Sequence, residues 1–144
     1  MKKGFTLIEL LAVIVILAII ALIATPIILN IINDTKKESL ARSAENYLRA
    51  VEQTIAKENL KEEFNPTTCT GTTTLTCTMQ DGTTKTVNVK IDGKAPSSAT
   101  ITFENGNVLK DSTTTITFES GTVSFDENGK TKVIDREKIK VHAQ

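Results

Sequence analysis

From Leu10 to Ala24 every position is apolar, and no charged side chain lies between Glu9 and Asp34. At about 1.5 Å of rise per residue, roughly 20 helical residues cross a hydrocarbon core of about 30 Å, so this run predicts a helix able to span a bilayer. The apolar composition continues through Ile27, Ile28, Leu29, Ile31 and Ile32 and then becomes periodic. Leu40, Ala44, Leu48, Val51 and Ile55 recur every three or four residues, Tyr47 widens their stripe, and Lys37, Glu45, Arg49 and Glu52 lie outside it. Such spacing predicts an amphipathic helix. Asn65-Pro66 should end it, because the residue before a proline disfavours helical backbone. One helix is therefore expected from about Phe5 to about Glu63, apolar all round in its first half and with one dry face in its second. Pro26 lacks an N–H and its ring opposes the Leu22 carbonyl, which predicts a kink rather than a break.

Past Pro66 the period drops to two, threonine dominates, and short runs are separated by glycine turns. Val87, Val89 and Ile91 alternate along one face, and ATITFENGNV from Ala99 is a near copy of TTITFESGTV from Thr114. Each copy joins a strand to an Asn-Gly or Ser-Gly turn, a hairpin signal, and Asp126-Glu127-Asn128-Gly129 supplies a further turn before Thr131 to Ile134. The expectation is an antiparallel meander of about four to six strands. Its helix-facing side is expected to carry Ile101, Phe103, Ile116, Phe118, Val123 and Phe125. Two copies are too few for a solenoid, so the repeat reads as a duplicated hairpin. The fold class is α+β: a long N-terminal helix whose amphipathic half packs on a C-terminal antiparallel sheet.

Of the 144 residues, those left after the membrane helix suffice for one small domain of on the order of 80 to 110 residues. Lys plus Arg and Asp plus Glu number 17 each, so charge gives no general reason to expect nucleic acid as a partner. Lys2 and Lys3 precede the apolar run and place that end in the cytoplasm, which exports the rest. Cys69 and Cys77, the only cysteines, would then meet an oxidising environment, and a disulfide closing a short hairpin is the favoured reading.

A secretory signal peptide would be cut after its apolar segment at an Ala-x-Ala pattern, which Ala24-Thr25-Pro26 fits poorly. The small residue placed for cleavage is Gly4, in front of the run, and a cut there leaves the hydrophobic helix at the new N-terminus, Phe5. Glu9 is then diagnostic. A carboxylate in a membrane segment costs about 3 kcal/mol on insertion scales unless it is paired. The chain offers it no cation before Asp34 except the amine that cleavage would create at Phe5.

Gly4-Phe5-Thr6-Leu7-Ile8-Glu9-Leu10-Leu11 resembles the class III signal of type IV pilins and pseudopilins, with glycine, phenylalanine and glutamate at that family's spacing before a long apolar helix. The resemblance implies cleavage between Gly4 and Phe5 by a membrane aspartyl prepilin peptidase, N-methylation of Phe5, and pairing of Glu9 with the Phe5 amine of an adjacent subunit. It also implies a pilin-like fold, and Pro26 falls where many such pilins have a helix-distorting proline. The domains expected are a leader at 1–4, the transmembrane and assembly half of the helix at 5–29, its amphipathic half at 30–64, and a threonine-rich β-domain at 65–144. Partners implied are further copies and related pilins in a helical filament, the peptidase, an inner-membrane assembly platform and the bilayer, with nucleic acid only for a competence filament. The subunit would be a single-pass membrane protein before assembly and part of an extracellular filament after it. In many type IV pilins the disulfide staples the end of the domain, whereas Cys69 and Cys77 lie at its beginning.

No catalytic constellation is legible, so no enzyme, cofactor or metal is expected. Asp126-Glu127-Asn128-Gly129 starts like a calcium loop but lacks the later ligands, and an acidic hairpin turn is favoured. Asn33-Asp34-Thr35 is a sequon placed against the membrane, the hydroxyls of Thr67 to Thr74 and Ser112 to Thr115 are possible O-glycan sites, and His142 reads as a tail residue. Two functions fit: a structural subunit polymerising through its N-terminal helix, and a monomeric membrane-anchored β-domain that binds something outside. Only the first needs both the cut at Gly4 and the carboxylate at Glu9.

Overall fold

The computed structural model describes residues 3–135; Met1, Lys2 and His142 lie outside them. Helix α1 (Leu7–Lys61) runs through Pro26 and is followed by β1 (Pro66–Gly71), β2 (Thr74–Met79), β3 (Thr84–Asn88), β4 (Ser98–Glu104), β5 (Asn107–Val108), β6 (Thr115–Phe118), β7 (Gly121–Phe125) and β8 (Thr131–Asp135). The architecture is the expected α+β one, a long N-terminal helix and an antiparallel sheet. Two compact units divide the chain between Lys36 and Lys37, within α1.

In the second unit, Leu40, Ala44, Tyr47, Leu48, Val51 and Ile55 are the buried residues of α1, the stripe the 3.6-residue period predicts. They join one core with Ile101, Phe103, Ile116, Phe118, Val123 and Phe125 from the sheet. The Tyr47 hydroxyl donates to the Thr72 carbonyl at 2.6 Å, so the one buried phenol of this core is satisfied. Phe64 closes the end of the core, and its amide donates to the Asn59 side chain at 2.9 Å.

The sheet has eight strands rather than four to six, in the order β3-β2-β1-β4-β6-β7-β8, with the two-residue β5 on β4. It is also not a simple meander. Strands β1, β2 and β3 run outward as successive hairpins, then the chain returns along residues 89–97 so that β4 pairs with β1. That arrangement, a fourth strand lying beside the first, is a Greek key. Between β1 and β2, Gly71 adopts φ 139°, and a Cβ there would lie 2.1 Å from the Thr74 carbonyl oxygen, so this tight hairpin requires glycine.

The two near copies do form hairpins, and they meet: β4 and β6 pair with Thr100 opposite Thr115, equivalent positions of the repeat. The duplicated strands are thus related by a local two-fold axis. The first hairpin turns at Asn105-Gly106, both with positive φ, as the Asn-Gly signal predicts. The second does not turn at Ser120-Gly121. Phe118 pairs with Gly121, so the turn is Glu119-Ser120 and Gly121 opens β7. Serine tolerates left-handed backbone less well than asparagine, and moving the turn by one residue shifts the pairing by two, which keeps Val123 on the core side. Thr114, buried before β6, donates to the Leu109 carbonyl at 2.6 Å and accepts from the Thr102 amide at 3.1 Å.

Candidate processing and assembly site

The residues singled out at the N-terminus sit on one short stretch. Helix α1 starts at Leu7, and its first intrahelical bond is from the Leu10 amide to the Thr6 carbonyl, 3.2 Å. Thr6 is therefore the N-cap and Glu9 the third helical residue. The Thr6 amide donates to Glu9 Oε2 at 3.0 Å, and the Glu9 amide donates to Thr6 Oγ1 at 3.3 Å. This reciprocal pair is a capping box, which satisfies two amides that the first helical turn leaves without intrahelical partners. Glu9 thus has an uncharged partner on its own chain in addition to any cation, and Thr-x-x-Glu ahead of an apolar run is the sequence signature of that partner. The carboxylate also sits where the positive end of the helix dipole favours a negative charge.

Gly4 precedes the cap with no positive φ, and a Cβ built on it meets nothing within 4 Å. The folded chain thus makes no demand for glycine there. Phe5 is 90% exposed and Leu7 86%. The same holds along the first unit, where the large apolar side chains from Leu10 to Ile32 are exposed. A continuous apolar surface of this length is not what a soluble chain presents to water. By length and composition, α1 is able to cross a membrane. Pro26 deprives the Leu22 carbonyl of its helical donor, and next to it the Thr25 hydroxyl donates to the Ala21 carbonyl at 2.6 Å.

Cys69 and Cys77 form a disulfide, as expected, between directly opposed residues of β1 and β2. Both are buried, and the bond belongs to the core rather than to an exposed loop. The Asp126 turn uses its carboxylate internally: Oδ1 accepts from the amides of Asn128 and Lys130, both at 2.9 Å. Asp81 and Asp111 do the same with Thr83 and Thr113, and those side-chain and backbone hydrogen bonds hold both carboxyls below their usual range. Glu62 is lowered by Lys85, which bonds it at 2.8 Å. A shallow cavity of about 250 Å³ opens between Glu63, Met79, Asp81 and Lys85. In its lining the Thr83 hydroxyl donates to Asp81 at 2.6 Å and Lys85 pairs with Glu62 at 2.8 Å.

With this geometry in view, the chain matches one family description, the prokaryotic N-terminal methylation motif, over residues 1–25. That motif is the signal of type IV pilins and pseudopilins, and the match contains Gly4, Phe5, Thr6 and Glu9. No curated protein and no solved structure matches the chain. The motif thus identifies the N-terminal segment and points to a structural subunit, while residues 26–135 stand on their own geometry.

Proposed function

We propose that this protein is the prepilin-type subunit of a type IV pilus-like or pseudopilus-like filament, cut between Gly4 and Phe5, methylated at Phe5, and polymerised through its N-terminal helix. The observation that carries this reading is the methylation motif at residues 1–25 leading into an apolar helix with no partner of its own in the first unit. Gly4 adds support, because a glycine that the fold does not need is accounted for by a peptidase that reads it. Before assembly the helix holds the chain in the membrane with the amphipathic half and the sheet outside. In the filament, helices of neighbouring subunits replace the lipid, and Glu9 pairs with the Phe5 amine of an adjacent copy. The domain roles follow: leader at 1–4, membrane and assembly helix at 5–29, amphipathic helix at 30–64, exported β-domain at 65–144. Other pilins, the prepilin peptidase and a membrane assembly platform are the partners of this reading.

The capping box bears on the alternative, a monomeric anchored β-domain. It gives Glu9 a use within a single chain, so Glu9 alone no longer separates the two functions. The N-terminus does separate them. Mass spectrometry of the membrane and sheared surface fractions should find the chain beginning at methylated Phe5, with filaments on expressing cells. An intact Met1 in the surface fraction, or a cut chain that forms no filaments when the assembly machinery is present, decides against a filament subunit.

A further inference from the structure

Within the apolar run from Leu10 to Ile32 only Thr25 and Asn30 carry polar side chains. The Thr25 hydroxyl donates inside the helix to the Ala21 carbonyl at 2.6 Å, and just past the run the Thr35 hydroxyl donates likewise to Ile31 at 2.7 Å. At the other end Thr6 and Glu9 satisfy each other. Among the described residues the Asn30 side chain bonds nothing, and it stands exposed with Ile27, Ile28, Leu29, Ile31 and Ile32 around it. The run also holds one backbone acceptor without its helical donor, the Leu22 carbonyl, because Pro26 has no N–H to give it. Counted from Leu10 at about 1.5 Å per residue, Leu22 lies about 18 Å along the helix, inside a hydrocarbon core of about 30 Å. Asn30 lies about 30 Å along, at the outer edge of that core. Water and headgroups therefore serve Asn30 in the membrane, while the Leu22 carbonyl stays dry.

We infer that the Asn30 amide donates to the Leu22 carbonyl of a neighbouring copy, and that this pair fixes the axial register of the packed helices. An asparagine side chain offers two donors and a carbonyl accepts, so the two groups left over in one chain are complementary between two chains. Within one chain they cannot meet, because the eight positions between them span about 12 Å of helix. A parallel copy displaced outward by that same distance brings its Leu22 carbonyl level with Asn30 of the first. A helical carbonyl points toward the turn that follows it, here at Thr25 and Pro26, whose compact side chains let another backbone approach. Two Asn30 side chains would meet only between copies at one height, and successive subunits of a helical filament differ in height. Once neighbouring helices displace the interfacial water, an amide covered without a partner is costly, and the Leu22 carbonyl is the acceptor that its own helix leaves unused. Contacts among the leucines, isoleucines and valines of the run favour no one axial position, whereas a single covered polar pair does. This inference rests on the filament reading and gives its helix packing one specific displacement.

The test compares sheared filaments with membrane-held subunit, at equal expression, for wild type, Asn30→Leu, Pro26→Ala and the double variant. Asn30→Leu only extends the apolar run, so it should insert, be cut and form the Cys69–Cys77 link as wild type does. Having lost one interhelical hydrogen bond per contact, it should need about three- to tenfold more membrane-held subunit for the same filament yield. Pro26→Ala gives the Leu22 carbonyl a helical donor of its own, so in that background Asn30→Leu should cost nothing further. An equal cost in both backgrounds overturns the inference, as does a wild-type yield from Asn30→Leu, and either result leaves the filament reading standing. Solid-state NMR reads the contact without relying on assembly of any Pro26 variant. Wild-type filaments are grown from two subunit pools, one with nitrogen-labelled asparagine and the other with carbonyl-labelled leucine. Transfer from an asparagine side chain to a leucine carbonyl across the pools, lost when the first pool carries Asn30→Gln, is the expected result. Wild-type filaments without that transfer overturn the pairing. Wild type that forms no filaments instead strikes at the proposed function.

Discussion

Thr6 and Glu9 close a reciprocal cap at the start of α1, and that cap changes what a substitution at Glu9 measures. Glu9→Leu removes a charge and also one side of the capping box, which costs the helix end about 1 kcal/mol. Glu9→Gln separates these effects, because glutamine at the third helical position still accepts from the Thr6 amide but carries no charge. If Glu9 pairs with the Phe5 amine of a neighbour, Glu9→Gln should insert, be cleaved and keep its helix end, yet assemble almost as poorly as Glu9→Leu. Comparing sheared filaments with membrane-held subunit at equal expression decides it, and wild-type yield from Glu9→Gln would leave the cap as the residue's whole role. Tyr47 is the other residue whose environment sets a measurable quantity. Burial pushes its phenol up to about 12 from an ordinary value of 10.0. The neutral form is the one the fold holds, so the contribution is complete below pH 10 and is lost as pH rises from there towards 12. Two units correspond to at most roughly 2 to 3 kcal/mol. Denaturant midpoints of the solubilised chain should fall between pH 9 and pH 12 for wild type, and Tyr47→Phe should lose about 1 kcal/mol at neutral pH but show a flatter alkaline fall.

At the scale of elements, what could be read from the sequence was whatever repeats locally. The spacing of Leu40, Ala44, Leu48, Val51 and Ile55 gives the buried face of α1, and alternation gives the inward face of β4, β6 and β7. Strands β1 and β2 are legible only as a short hairpin closed by Cys69 and Cys77, not as members of the sheet, because their inward positions hold Cys69, Leu75, Cys77 and Met79 in place of the isoleucine, valine and phenylalanine that mark the inward face of β4, β6 and β7. The Greek key escaped for a different reason. The pairing of β1 with β4 joins residues some thirty positions apart, and no turn signal at either strand encodes it. The consequence falls on the disulfide. A hairpin hanging outside the sheet would loosen when Cys69–Cys77 is reduced, whereas β1 is held by β2 on one side and β4 on the other. Replacing both cysteines by alanine should cost about 2 to 3 kcal/mol for so short a loop, through the unfolded state. It should nevertheless leave the amides of Cys69 and Thr70 protected from hydrogen exchange. Free exchange there in the variant at native pH would show that the link, not the sheet, holds the hairpin.

The whole molecule sets two demands against each other: residues 37–135 fold around a core of their own, while α1 up to Lys36 exposes an apolar surface that only lipid or other helices cover. Substitutions in front of α1 should therefore act on maturation without reaching the β-domain, and Gly4 is where that separation is cleanest. A side chain at Gly4 meets open space and its backbone needs no positive φ, so Gly4→Leu carries no folding cost. In the proposed processing, its cost falls on the peptidase that reads Gly4. The variant should insert, form the Cys69–Cys77 link and unfold at the same midpoint as wild type. It should also keep Met1 in membrane extracts and contribute no filaments, even when the wild-type subunit is absent and expression is equal. Gly4→Ala, with the smallest side chain available, should show partial cleavage and a proportionate filament yield. A Gly4→Leu chain found cut before Phe5 at the wild-type level would mean the glycine is not what the peptidase reads. An uncut chain that still polymerises would mean the exposed apolar helix needs no new amine at Phe5, and with it the pairing assigned to Glu9 would fall.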